Sequence, residues 1–198
     1  MTSPGLVSLK DSLQKLREAL IAERDESLSY SRADHDRALG FRVLASAHLE
    51  DYAERRCLEA VESARAKLVR GQISRTAKCL LIWNSVRSET QPIPLELADF
   101  SSDMESAVKS YEKLIKRMHG ISGRNFKAIL MPLGLRDPDF DSQLFDKLDE
   151  LAQKRGAAAH VRVNRAKTMT EPAQEWQIFD DLLPLLEELD MQIANASS

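Results

Sequence analysis

Only two of the 198 residues are cysteine, Cys57 and Cys79. Two unpaired thiols build neither a disulfide scaffold nor a cysteine-rich zinc site. Glycine and proline are scarce too, seven of each. That excludes a many-turned β sandwich and favours long helices. Uncharged runs are short: 79–86 and 128–135 hold eight residues each, against the roughly 20 that a bilayer-crossing helix needs. The opening Met1-Thr-Ser-Pro-Gly lacks the basic-then-apolar layout of a signal peptide. A soluble, cytoplasmic protein with no membrane partner and reduced thiols is therefore expected. Neither charge sign dominates. A net charge of −3 excludes a polycation of histone type, so any nucleic-acid contact must come from a local patch. Walker A, dinucleotide G-x-G-x-x-G, H-E-x-x-H and G-x-S-x-G motifs are all missing. The four histidines, His35, His48, His119 and His160, are too scattered to suggest a metal cluster, so no metal or cofactor is expected.

What is present is helical periodicity. Leu6, Leu9, Leu13, Leu16 and Leu20 recur every three or four residues behind a Ser3-Pro4 start. A long pattern over 33–69, weakened at Gly40, carries Phe41, Ala45, Leu49, Ala53, Cys57, Ala60, Ala64 and Leu68, with Gly71 as a stop. Residues 74–86 form another helix, and 89–101, with Pro92 and Pro94, a loop. Ser102 reads as a cap with Glu105 as its capping-box partner, opening a helix to about Met118 with Met104, Val108, Tyr111, Leu114 and Ile115 inward. After a break at 120–123 come a short helix over 125–133 and a helix opened by Asp137-Pro138-Asp139. Residues 161–170 read as a loop or a short extended piece. Thr170 then caps a last helix bearing Trp176, Phe179, Leu182, Leu183, Leu186, Leu189 and Ile193, with a kink at Pro184. Both tryptophans, Trp83 and Trp176, read as core. The pattern predicts a single all-α domain over 1–198, a bundle of six or seven helices.

One charged residue breaks a stripe. Leu144, Leu148 and Leu151 are followed, again by a step of four, by Arg155. A guanidinium facing inward needs an anion, because burying it alone costs several kcal/mol, on the order of a lost ion pair. A carboxylate or a phosphate gripped by two parallel hydrogen bonds would serve. His160 lies five residues on, about 140° away around a continuous helix. The two groups converge only if the helix ends or bends between them, and Gly156 favours such a bend.

The stretch Leu148-Asp-Glu-Leu-Ala-Gln-Lys-Arg-Gly-Ala-Ala-Ala-His160 resembles the signature of the HEPN superfamily, an arginine followed after four to six residues by a histidine, late in an all-α bundle. The acidic and aromatic strip over 47–56 is similar to the family's long second helix. Gly123-Arg-Asn-Phe-Lys-Ala-Ile-Leu with Leu133-Gly134-Leu135 is similar to a connecting region in its prokaryotic members. The likeness spans roughly residues 30–190 and is sharp over 148–160. Arg42 and His48 fit the same spacing, but context and phase favour the later pair, and Arg42 reads as structural.

The resemblance implies metal-independent RNA cleavage, with His160 as general base on a ribose 2′-hydroxyl and Arg155 holding the phosphate. It implies a homodimer in which two motifs face one cleft, and two such arginine–histidine pairs need RNA, or paired acids such as Glu50, to offset their repulsion. A defence or toxin–antitoxin setting, with an antitoxin or effector partner protein, also comes from the family alone. Lys154, Arg162, Arg165 and Lys167 adjoin the motif as candidate RNA contacts, and a second basic run holds Lys113, Lys116, Arg117, Arg124 and Lys127. Gly156 departs from the family, whose RNA-cutting members usually carry a polar residue there. It sustains a rival reading: an inactive HEPN bundle that binds RNA, a nucleotide or a partner protein.

Overall fold

The computed structural model describes residues 2–22, 29–88, 99–159 and 170–198. Among them there is no strand. Seven helices follow in order: α1 (Pro4–Leu20), α2 (Arg32–Val69), α3 (Arg75–Ser88), α4 (Asp99–Ile115), α5 (Gly123–Leu130), α6 (Ser142–Ala159) and α7 (Pro172–Ser197), with 3-10 turns at Met131–Leu133 and Asp137–Asp139. No helix among the described residues is long and apolar enough to cross a membrane.

The 38-residue α2 is the central element, packed on every other helix. Gly40 does not interrupt it. A capping box closes its start: the Ser31 hydroxyl accepts from the Asp34 amide, and the Asp34 carboxylate accepts from the Ser31 amide at 2.8 Å. The predicted stripe from Phe41 to Ala64 is buried throughout, including Cys57, whose thiol burial pushes up to about 12. Phe41 meets Phe179 of α7 edge to face, with ring centroids 5.4 Å apart. The inward residues read for α4 and α7 are likewise buried, apart from Trp176 and Leu183, which pack half-exposed against one cluster of buried apolar side chains.

Three starts differ from the sequence reading. Helix α4 begins at Asp99, so Ser102 lies inside it rather than capping it, and Glu105 pairs with Arg65 at 2.5 Å. Asp137-Pro138-Asp139 forms a separate 3-10 turn instead of opening α6. Asp139 takes the Arg136 amide and the Arg75 guanidinium, which holds its carboxyl below the usual range. Thr170 does not cap α7: Glu171 occupies that position without a side-chain bond, and the Thr170 hydroxyl accepts from Arg42. The helix also continues through Pro184 to Ser197.

Two contacts fix the frame around the later site. Ser122 caps α5, and a Cβ on Gly123 would lie 2.9 Å from the Phe145 carbonyl oxygen of α6. Backbone cannot yield there as a flexible side chain would. Gly123→Ala is expected to lose about 1–3 kcal/mol in urea unfolding, whereas Gly156→Ala, with nothing within 4 Å of the new Cβ, gains about 0.5–1 kcal/mol. The second contact is Asp190 of α7. Its buried carboxylate accepts from the Ser3 amide (2.8 Å) and hydroxyl (2.6 Å), the Tyr52 hydroxyl (3.2 Å) and Arg56 Nε (2.7 Å). Burial alone would raise its pKa, but the Ser3 and Arg56 bonds lower it by more. A depressed folded pKa contributes stability that is full above the unfolded value of about 3.9 and fades as pH falls through the folded one. Thermal unfolding followed from pH 7 down to 3 should therefore show a steeper acid loss in the parent than in Asp190→Asn. Parallel curves would refute this role.

Candidate active site

Helix α6 delivers the motif arginine. Leu144, Leu148 and Leu151 are buried, which turns the next position of the stripe, Arg155, toward α2. The helix passes unbroken through Gly156 to Ala159, so the bend expected at that glycine does not occur. His160, with Arg162, Arg165 and Lys167, lies outside the described residues.

Arg155 meets an acid in its own chain. Its Nη1 donates to Glu50 Oε2 at 3.1 Å, with 34% of the arginine side chain and 19% of the glutamate side chain exposed. The other oxygen of Glu50 accepts from the Gly120 amide. Glu50 is thus anchored from behind by backbone while it holds one end of the guanidinium. Arginine offers five N–H donors, and among the described residues only Nη1 is engaged. The edge formed by Nε and Nη2 keeps the fork geometry that suits a phosphate. Lys154 is committed differently: its ammonium pairs with Glu150 at 2.7 Å.

Sequence reasoning read 120–123 only as a break, yet it supplies part of the site. Gly120 adopts φ +96°, a left-handed conformation that glycine takes without penalty. Asn125 Nδ2 donates to the carbonyls of His119 (2.6 Å) and Gly120 (3.3 Å), fixing the turn that presents the Gly120 amide to Glu50. One turn along α2, burial and the neighbouring Glu50 raise the Glu54 carboxyl, while the exposed His119 lowers it. Acids, an arginine and a histidine therefore gather where α2, α6 and the α4–α5 turn meet.

Beside this, Arg42 forms a second network. It is 1% exposed and paired with the equally buried Glu175 of α7 through Nε (2.8 Å) and Nη2. Nη1 donates to the Lys154 carbonyl (2.8 Å) and Nη2 to the Thr170 hydroxyl (3.1 Å). The Thr170 carbonyl takes Nδ1–H of His35 at 3.2 Å. Arg42 thus ties α6 beside Arg155 to the residue that precedes α7. His48, exposed on α2, takes no part in this network. Among the described residues no cluster of three or more His, Cys, Asp or Glu is arranged to hold a metal ion.

Comparison with known proteins adds one finding. No curated protein and no solved structure matches the chain. A family model does, covering residues 8–195, and its helical character agrees with the bundle described above. The match reaches into all seven helices and includes the positions of Arg155 and Glu50. The chain belongs to the RiboL-PSP-HEPN family and is a HEPN-type domain.

Proposed function

We propose that this protein is a metal-independent endoribonuclease. The observation that carries the reading is Arg155, partly exposed, oriented by Glu50 at one terminal nitrogen and, among the described residues, unengaged along its remaining edge. That edge would grip the phosphate to be cut and balance the charge that builds up on it in the transition state. His160 would take the proton of the neighbouring 2′-hydroxyl, an imidazole with an unperturbed pKa of about 6.5 being suited to proton transfer near neutral pH. The 2′-oxygen then bonds to phosphorus and the 5′-oxygen departs, collecting a proton from water. The products are a 2′,3′-cyclic phosphate and a 5′-hydroxyl.

Glu50 has a second task in this reading. Two copies of the motif brought into one cleft of a homodimer would repel, and a carboxylate on each arginine offsets that. A defence or toxin–antitoxin setting, with an antitoxin or effector partner, follows from the family alone. The test is incubation of purified protein with single-stranded RNA in EDTA beside Arg155→Ala and His160→Ala, with light scattering to give the oligomeric state. Cutting by the parent and by neither variant supports the enzyme. RNA bound but left intact by all three identifies the inactive binding bundle instead.

A further inference from the structure

The basic run over 113–127 is divided by the fold. Lys127 turns to Asp137 (3.1 Å) and to the Phe145 ring (4.5 Å). Lys113 and Arg117 instead line a groove of about 260 Å³ with Arg87 and Asn84 of α3 and with Ser110, over a floor that includes Leu114. No acidic side chain lines it among the described residues. At 100° per residue, Lys109 falls on the same face of α4 as Lys113, and Lys116 and Arg117 extend that face through the closing turn. Glu112 borders this face, and Lys109, Lys113, Lys116 and Arg117 are all exposed. In a chain of net charge −3 this concentration of exposed cations is a local reversal of sign.

The groove adjoins the Arg155 site through the chain. Gly120, whose amide holds Glu50, follows Arg117 by three residues. Three Cα steps of 3.8 Å span at most about 11 Å. We propose that the α3–α4 groove is the track for the RNA phosphates that flank the one held at Arg155. The proposal rests on the ribonuclease reading and gives that site a direction.

The groove's aromatic content sets the kind of contact. One face of Trp83 is covered by the Arg87 guanidinium at 5.0 Å, and its ring meets Tyr111 edge to face. Among the described residues no ring lines the groove to stack a base, so the grip is on the backbone and indifferent to sequence. Single-stranded RNA fits better than an acidic peptide, because its evenly spaced charges run on from the phosphate at Arg155.

The test uses a fluorescent 2′-O-methyl oligonucleotide of about 12 nucleotides, within the length such grooves accept. It lacks the 2′-hydroxyl proton and stays intact, so binding is read without cutting. Anisotropy titrations at several salt concentrations would compare the parent with Lys113→Glu/Arg117→Glu and with Lys15→Glu/Arg70→Glu, which changes net charge equally elsewhere. The groove pair should raise Kd at least tenfold and flatten the slope of log K against log salt by about 1.4, or 0.7 for each single-strand phosphate no longer neutralised. The control pair should stay within threefold of the parent. Equal Kd and slope for both pairs would overturn the proposal, as would a glutamate-rich peptide that displaces the oligonucleotide as well as RNA of equal charge does. A parent that cuts no RNA but loses binding through the groove pair would sink the ribonuclease reading and keep the groove as an RNA-binding surface.

Discussion

Arg42→Met should lower the free energy of unfolding by about 3–5 kcal/mol, the cost of leaving one member of a buried ion pair without its partner. The loss has named parts. Glu175 would keep a buried carboxylate facing a thioether, the Lys154 carbonyl would be deprived of its side-chain donor, and the Thr170 hydroxyl of Nη2. Arg42→Lys should recover little, because one ammonium cannot reach three acceptors that a planar guanidinium spans. The double variant Arg42→Met/Glu175→Leu should regain much of the loss, since an apolar pair of similar volume can replace a buried ion pair. It would still fall short by about 0.5–1.5 kcal/mol for the hydrogen bond lost at the Lys154 carbonyl, which keeps its partner within α6. Denaturant unfolding of the three variants measures this. A loss below about 1 kcal/mol for Arg42→Met would place it among ordinary substitutions and refute the tether.

The second large effect is in chemistry rather than folding. Arg155→Ala should reduce the rate of RNA cutting by about 10²–10³-fold, the range found when one preorganised donor is removed from a developing oxyanion. Stability should barely change, because a partly exposed pair such as Arg155–Glu50 contributes about 0–1 kcal/mol. The two variants thus separate the two arginines: one moves unfolding, the other moves cutting. Arg155→Lys should remain well below the parent, since it keeps the charge and loses the fork. Glu50→Gln should retain the Gly120 bond yet release the guanidinium, with an intermediate rate. Arg155→Ala cutting at the parent's rate would end the proposed mechanism.

The helices were legible because their burial is periodic. The stripe from Phe41 to Ala64 and the inward residues of α4 are those that spacing selects. Arg155 was legible for the same reason, as a charge in phase with three buried leucines. Helix starts were less so. Ser102, Asp137 and Thr170 all have residue types that cap helices, but capping is a local preference of about 1 kcal/mol. At Thr170 a long-range bond from Arg42 took the hydroxyl, and at Asp139 one from Arg75 took the carboxylate. The role of Gly120 had no sequence signal beyond glycine itself, because its bond to Glu50 joins residues 70 apart. Arg42 was readable as structural only because context and the inward phase of Arg155 favoured the later pair, whereas its grip on Lys154 and Thr170 depends on how three helices meet.

The length of α2 has a mechanical consequence. Arg42 and Glu50 sit eight residues apart on one rod, about 12 Å along its axis at 1.5 Å per residue. They grasp successive residues of α6, the first by the Lys154 carbonyl and the second by the Arg155 guanidinium. A helix pinned at two points can neither roll nor slide without tearing one of them loose. Arg155 is thereby aimed by bone rather than by muscle: its bearing is set once, at folding, and under the proposed mechanism a bound phosphate need not spend binding energy to turn it.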